Sequence, residues 1–302
     1  MMNCIRVTVP ATTANMGPGF DCLGLALGLH NVFEVRERKE GEPLVEVVGE
    51  TKGLPLDETN LVIQVMTHYF QEVGQEPAPY RLLIRPGVPV SSGLGSSSTA
   101  VVGGLLAADA WVSGGKSREE IAAMAVGIEG HPDNVVPALY GGLVVAAQTC
   151  QGLVMKRLEV AALQAVVVLP DFALSTEAAR AALPVMVPLA DAVFNLGHLG
   201  VLLTALATGD YDLLGVAMGD RLHQPYRTPL IPGWEAAAEA ARLAGAKAVA
   251  LSGAGPSLIA WGVEGHEAIG RAAEAAFTAA GVASQQWILA VDQRGSWVEM
   301  ID

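Results

Sequence analysis

Pro89, Val90, Ser91, Ser92, Gly93, Leu94, Gly95, Ser96, Ser97, Ser98 and Thr99 form a glycine- and serine-rich run ahead of an apolar stretch. Gly93 and Gly95 permit turns that other residues resist, so consecutive backbone N–H groups can converge on one anion. The three serines at 96–98 add hydroxyls, and the start of the following helix adds a partial positive charge. Such a loop suits the cradling of a phosphate. It lacks the lysine of the Walker pattern. Taken alone, the run is equally a flexible Gly/Ser turn.

Two further segments share that character. Residues 10–24 set Asn15 and Asp21 in a glycine-rich turn after a first strand, and Ser252-Gly253-Ala254-Gly255-Pro256-Ser257 follows a strand of buried type. Three such loops, each beginning at a strand end, form a pattern. Other candidates cluster in Glu129-Gly130-His131-Pro132-Asp133-Asn134, in Ser175-Thr176-Glu177-Ala178-Ala179-Arg180 and in Gln224-Pro225-Tyr226-Arg227. Each has a plain structural reading as well. Arg180 is a solvated residue on an alanine-rich helix, His131 a loop histidine, and Glu129 an exposed acid at a helix end. Asp133-Asn134 would cap a helix, and Asp21 would close an Asx turn.

Strands to hold these loops are predicted at 5–9, 23–29, 32–38, 44–48, 80–84 and 143–147. Asn60 opens a helical pattern that stops at Gly74, an apolar helix covers 98–112, and Ser117 with Glu120 three residues on predicts a capped helix to 128. Around Gln151 the character changes, and the cut is placed near residue 155. The second block predicts strands at 165–169, 248–251, 258–261 and, as the last, 286–291, with helices at 176–182, 189–207, 234–243 and 267–280. The division is therefore set at 1–155 and 156–302.

Of the 302 residues 51% are hydrophobic and only 5% aromatic, as in an α/β or α+β protein of alanine-rich helices on valine-rich strands. A net charge of −13 argues against a nucleic-acid partner, which needs basic stripes. Apolar runs such as 164–170 read as too short to cross a bilayer, and the start lacks a basic-then-apolar export pattern. Three widely spaced cysteines match neither a disulfide framework nor a zinc site, so a reducing cytoplasm is expected.

In order and spacing, the three loops resemble the motifs of the GHMP small-molecule kinases (galactose, homoserine, mevalonate, phosphomevalonate) over nearly the whole chain. Within that family the turn from Asn15 to Asp21 and the three segments 129–134, 175–180 and 224–227 are similar to those of the homoserine kinases. The resemblance implies an α+β, two-domain GHMP kinase fold: an N-terminal mixed β-sheet with helices that binds ATP, then a C-terminal ferredoxin-like α/β sandwich. It implies ATP along 89–99 with Asn60 on the adenine side, and Mg2+ on Ser97 and Glu129. The implied substrate is L-homoserine, phosphorylated for threonine synthesis. Arg180 and Arg227 would take its α-carboxylate and Asp21 its ammonium. Asn15, Asp133 and Asn134 would surround the reacting hydroxyl, completed by His131 and Thr176.

A zwitterion needs one acceptor and a planar set of donors, which agrees with this assignment. Asp133 aligns with the aspartate that mevalonate-type relatives pair with a lysine, but no lysine occurs between Met1 and Phe20. Base-assisted and base-free transfer both stay open. By analogy the resemblance also implies a homodimer. Another GHMP kinase for a different alcohol, or a non-catalytic ligand sensor, are the alternatives.

Overall fold

Small, β-branched and threonine residues fill the chain's first strand, β1 (Cys4–Asn15), which is buried along nearly its whole length. In the computed structural model, which describes residues 4–49, 53–160 and 163–301, it pairs antiparallel with the 19-residue β2 (Gly19–Glu37). The sequence predicts two strands where β2 is one. A bulge where Pro10 pairs His30 and Ala11 pairs Leu27 bends the ribbon without ending it.

β3 (Val45–Val47), α1 (Leu61–Val73), β4 (Tyr80–Arg85), α2 (Ser96–Val112), α3 (Arg118–Glu129), α4 (Pro132–Tyr140), β5 (Leu143–Thr149) and β6 (Gly152–Leu158) complete the first block. Asn60 caps α1 as expected, its side chain accepting from the Val62 N–H, and Gly74 ends the helix in the left-handed region. Ser117 and Glu120 form the expected capping box of α3. The cap of α4 is His131, with Pro132 at the first helical position; Asp133 and Asn134 lie inside the first turn, so the cap reading of that pair does not hold. The first sheet runs from β11 (Trp297–Ile301) through β1, β2 and β4 to β3, with β5 pairing β2 and β6 pairing β5. Val7, Phe33 and Leu82 from this sheet pack with Val65, Val102 and Val136 of the helices in one core.

β7 (Gln164–Pro170), α5 (Thr176–Ala181), α6 (Leu189–Thr208), α7 (Leu214–Ala217), α8 (Gln224–Arg227), α9 (Trp234–Leu243), β8 (Ala248–Leu251), β9 (Leu258–Gly262), α10 (His266–Ala279) and β10 (Ser284–Ala290) follow. The second sheet, β10-β7-β9-β8, is antiparallel, and its central strands β7 and β9 are buried on both faces. Val166 and Val168 of β7 face Ala237 and Phe277 of the helices, whereas Ala165 and Val167 share a core with Leu25 and Leu27 of β2. That shared core fixes one sheet against the other.

Three further features depart from the sequence reading. β10 is not the last strand: β11 (Trp297–Ile301) returns to the first sheet beside β1. β6 is likewise unexpected. Both are edge strands with mixed exposure, so neither shows a clean alternation. Finally, α6 is long and apolar enough by length and composition to cross a membrane, contrary to the reading that the apolar runs are too short. Its Asn195, Leu202, Ala205 and Leu206 are packed into the second block, while Leu189, Val193 and Leu196 stay exposed.

Candidate active site

The β1–β2 turn, the loop before α2 and the loop after β8 are joined by backbone. The Thr12 N–H donates to the Leu94 carbonyl at 3.0 Å, that of Gly253 to Ala14 at 3.2 Å and that of Ser257 to Ser92 at 3.3 Å. The Ser252 hydroxyl adds a bond to the Gly93 carbonyl at 2.7 Å. Approach this close excludes side chains. A Cβ on Gly93 would lie 2.4 Å from the Ser252 carbonyl oxygen, and one on Gly95 would lie 2.1 Å from Thr12 Oγ1. Both glycines also hold positive φ, +78° and +69°, where other residues are strained.

The joined loops line a cleft of about 430 Å³. At one end lies the start of α2. Gly95 precedes it with no side-chain cap, the first turn has no acid, and the first backbone N–H bonded within the chain is that of Thr99, to Gly95. Among the described residues the N–H groups of Ser96, Ser97 and Ser98 therefore have no protein acceptor. That is an anion site made of backbone. Ser97 and Ser98 turn their hydroxyls to opposite oxygens of Glu129, at 3.3 and 3.0 Å. This oxygen-only set suits Mg2+.

The rest of the loop divides its labour. Val90, Ser91, Ser92, Gly93, Gly95 and Ser96 line the cleft, whereas Pro89, Leu94 and Thr99 do not. Leu94 is a core residue, Thr99 accepts from the buried Asn31, and the Pro89 carbonyl accepts from Ser92 Oγ. Asn60 lines the far wall with Leu61, Val62 and Phe33.

The other end is built from charges. Asp21 and Arg180 meet through two parallel bonds of 3.0 Å, and the guanidinium pKa is raised by that carboxylate. Arg227, on α8, is only 2% exposed. It donates Nε to the Ala179 carbonyl at 3.2 Å and Nη1 to that of Gly253 at 3.3 Å. Burial, then the nearby Arg180, lowers its pKa. Asn15 holds the turn itself: Oδ1 accepts from the Asp21 N–H at 3.0 Å and Nδ2 donates to the Gly253 carbonyl at 2.9 Å. Asn15, Met16 and Asp21 all take positive φ, an unusual run for residues with side chains.

Between the two ends lie Asp133, His131 and Asn134. Asp133 is 2% exposed and bonded to His131 Nδ1 at 2.6 Å, which raises the imidazole pKa above its usual value despite burial. Asn134 accepts from Thr12 Oγ1 at 2.8 Å. Thr176 opens α5 at the rim. Asp21, His131 and Asp133 each bring one ligand atom within 4.8 Å of the others, but His131 is bonded to Asp133, and Asp21 to Arg180. Those bonds satisfy them without a metal.

Residues 60–142 match the family described as GHMP kinases N terminal domain, and residues 202–282 match GHMP kinases C terminal. The chain belongs to the GHMP kinase family. Its architecture is accordingly the two-domain, α+β GHMP kinase fold, and ATP is the co-substrate of such a kinase. A homoserine kinase of Nostoc punctiforme is 44% identical over 98% of both chains. One of Gloeobacter violaceus is 48% identical over 85% of this chain and 86% of its own. The crystal structure of homoserine kinase from Cytophaga hutchinsonii superposes with a TM-score of 0.87 at 32% identity, over 99% of this chain and 98% of that one.

Several residues of this GHMP kinase site escape sequence reading. Asn31 bonds Thr99 through Nδ2 and accepts the N–H groups of Gly87 and Val88, anchoring the loop from below. Phe20 and His223 pack against the arginines. The one available signal was a polar residue inside an apolar strand, at Asn31.

Proposed function

We propose that this protein transfers the γ-phosphoryl group of ATP to the side-chain hydroxyl of L-homoserine, giving O-phospho-L-homoserine for threonine biosynthesis. The observation that carries this reading is one acid and two arginines, Asp21, Arg180 and Arg227, at one end of a cleft whose other end is the open start of α2. A phosphate binds at the second, and an α-amino acid, with its ammonium and carboxylate, at the first. The full-length homoserine kinase relatives agree with it.

The loop N–H groups of Ser96–Ser98 hold the phosphate tail, and Asn60 with Leu61 and Val62 border the adenine. Mg2+ on Ser97 and Glu129 would neutralise charge on the β- and γ-phosphates. Asp21 takes the substrate ammonium, and the two arginines its carboxylate. Asn15 acts by fixing Asp21, since both ends of its amide are engaged. The hydroxyl approaches between Asn134 and Asp133, with His131 and Thr176 closing the pocket. A new O–P bond forms as the bond to the bridging oxygen of ADP breaks. Asp133 has one oxygen on His131 and no partner lysine in the first turn, so it orients the hydroxyl. The proton leaves to a phosphate oxygen or water.

A cytoplasmic homodimer completes the proposal. On a chain of charge −13, the uncharged face of α6 at Leu189, Val193 and Leu196 is where two like-charged copies can meet. Sedimentation of Leu196→Glu as a monomer, against a dimeric parent, supports it; a monomeric parent refutes it.

Coupled ADP release with homoserine, its carboxamide, mevalonate and galactose tests the activity. Homoserine should be the substrate, and the carboxamide, which keeps the hydroxyl but lacks the carboxylate charge, should be rejected strongly. Turnover of mevalonate or galactose in preference would overturn the assignment. So would ATP binding with no turnover of homoserine.

A further inference from the structure

Arg227 is a buried cation with no carboxylate within 4 Å among the described residues; the charges of Asp21, Asp133 and Asp220 act on it only from farther off, which leaves room for a ligand carboxylate in direct contact. Its Nη2 has no protein partner among those residues, while Nε and Nη1 are committed to carbonyls. What aims that free nitrogen is a small layer behind it. The guanidinium carbon lies 5.2 Å from the centroid of the Phe20 ring, and that of Arg180 lies 5.8 Å from the same ring. His223 stacks on this ring as well, at 5.3 Å and 25°.

His223 is fully buried. Its Nε2 is 2.8 Å from the Gly17 carbonyl, which can only accept, so Nε2 carries the hydrogen. The Nδ1 lone pair is then left facing Nη1 of Arg227 at 3.5 Å. Burial lowers the imidazole pKa, in keeping with a neutral ring beside a cation. Asp220 fixes the ring's backbone by accepting the N–H groups of Leu222, His223 and Gln224.

We propose that Phe20 and His223 are positioning residues that set the direction of Arg227 and its spacing from Arg180, and thereby the selectivity of the site for an α-carboxylate. A guanidinium free to rotate would bind a carboxylate in several poses and would lose the forked geometry that discriminates. The stacked ring restrains tilt, and the imidazole lone pair restrains rotation. This rests on the reading of Arg180 and Arg227 given above.

Calorimetric titration of homoserine and of a non-hydrolysable ATP analogue tests it, with steady-state kinetics alongside. His223→Phe keeps a ring over Phe20 but removes the acceptor. It should raise the homoserine Kd and KM about tenfold, the loss of one hydrogen bond to a charged group, with kcat and ATP-analogue affinity within about twofold. His223→Asn, which restores an acceptor oxygen, should recover most of that loss. Phe20→Leu should weaken homoserine selectively too, and it carries the test if the histidine variant fails to fold.

Equal loss of both ligands in every folded variant would mean a merely structural role, and unchanged homoserine affinity would mean none; either overturns the proposal. Arg227→Gln separates the two readings. If it leaves homoserine affinity intact, the arginine assignment itself falls. If it weakens homoserine while His223→Phe and Phe20→Leu do not, only the positioning role falls.

Discussion

The two ends of the cleft present hydrogen-bond donors by opposite means. At the start of α2 the donors are backbone N–H groups with a neutral loop around them, and glycines let the loops approach. At the α5–α8 end the donors are guanidinium groups, one clamped on Asp21 and one buried with no carboxylate within 4 Å among the described residues. A backbone site is indifferent to side-chain identity but intolerant of any added Cβ. A side-chain site is the reverse. In the function proposed above, the first would recognise a group common to every nucleotide, and the second would distinguish one small alcohol from another.

The sharpest way to break this contrast is to compare a glycine with its serine neighbour. Gly95→Ala puts a Cβ against Thr12 at a positive φ and should cost on the order of a hundredfold in kcat/KM for ATP, as when preorganised backbone donors are lost. Ser96→Ala removes a hydroxyl but no N–H and should stay within about threefold. Comparable losses in steady-state assays would mean that hydroxyls, not the backbone, hold the phosphate.

At the other end Arg180→Ala should lower kcat/KM for homoserine by about ten- to a hundredfold, leaving KM for ATP within about twofold. Asp133→Ala should lower kcat by less than that. A turnover loss at Asp133 larger than the whole Arg180 effect would restore the base-assisted reading. Glu129→Gln returns to the α2 end, where the Glu129 carboxylate meets Ser97 and Ser98. It should raise the Mg2+ concentration for half-maximal rate about tenfold while homoserine affinity, measured without nucleotide, is unchanged.

This contrast also governs what could be read from the sequence. Gly93, Gly95 and the serines announce their loop because backbone geometry is written in consecutive residue types. The cap at Asn60 and the box at Ser117 and Glu120 are local in the same way. Arg180, Arg227 and Asp21 are far apart in the chain, and nothing in their spacing joins them; only resemblance did. His223 and Phe20 carried no signal at all, since a histidine becomes a positioning group through the carbonyl of Gly17, 206 residues away. β6 and β11 were invisible for a related reason: edge strands are stabilised by a neighbour's ladder, not by their own alternation. β2 was cut in two because a bulge interrupts the pattern without interrupting the strand.

The smallest expected effect concerns the pair between the two ends. His131 has its pKa raised chiefly by its bond to Asp133, with the charges of Asp133, Glu129 and Asp21 adding and burial opposing. A histidine with a raised folded-state pKa stabilises fully below its unfolded value, about 6.5, and that contribution is lost as pH rises through the folded value. The stability of the parent relative to His131→Gln should therefore fall as pH rises above about 6.5, by on the order of 2 °C in Tm for a chain of this size. Thermal melts from pH 6 to 9 on both proteins measure it. A difference that stays constant over that range would show that the imidazole is neutral and donates Nδ1–H to the Asp133 carboxylate, so that the middle of the cleft carries an unneutralised negative charge, unlike either end.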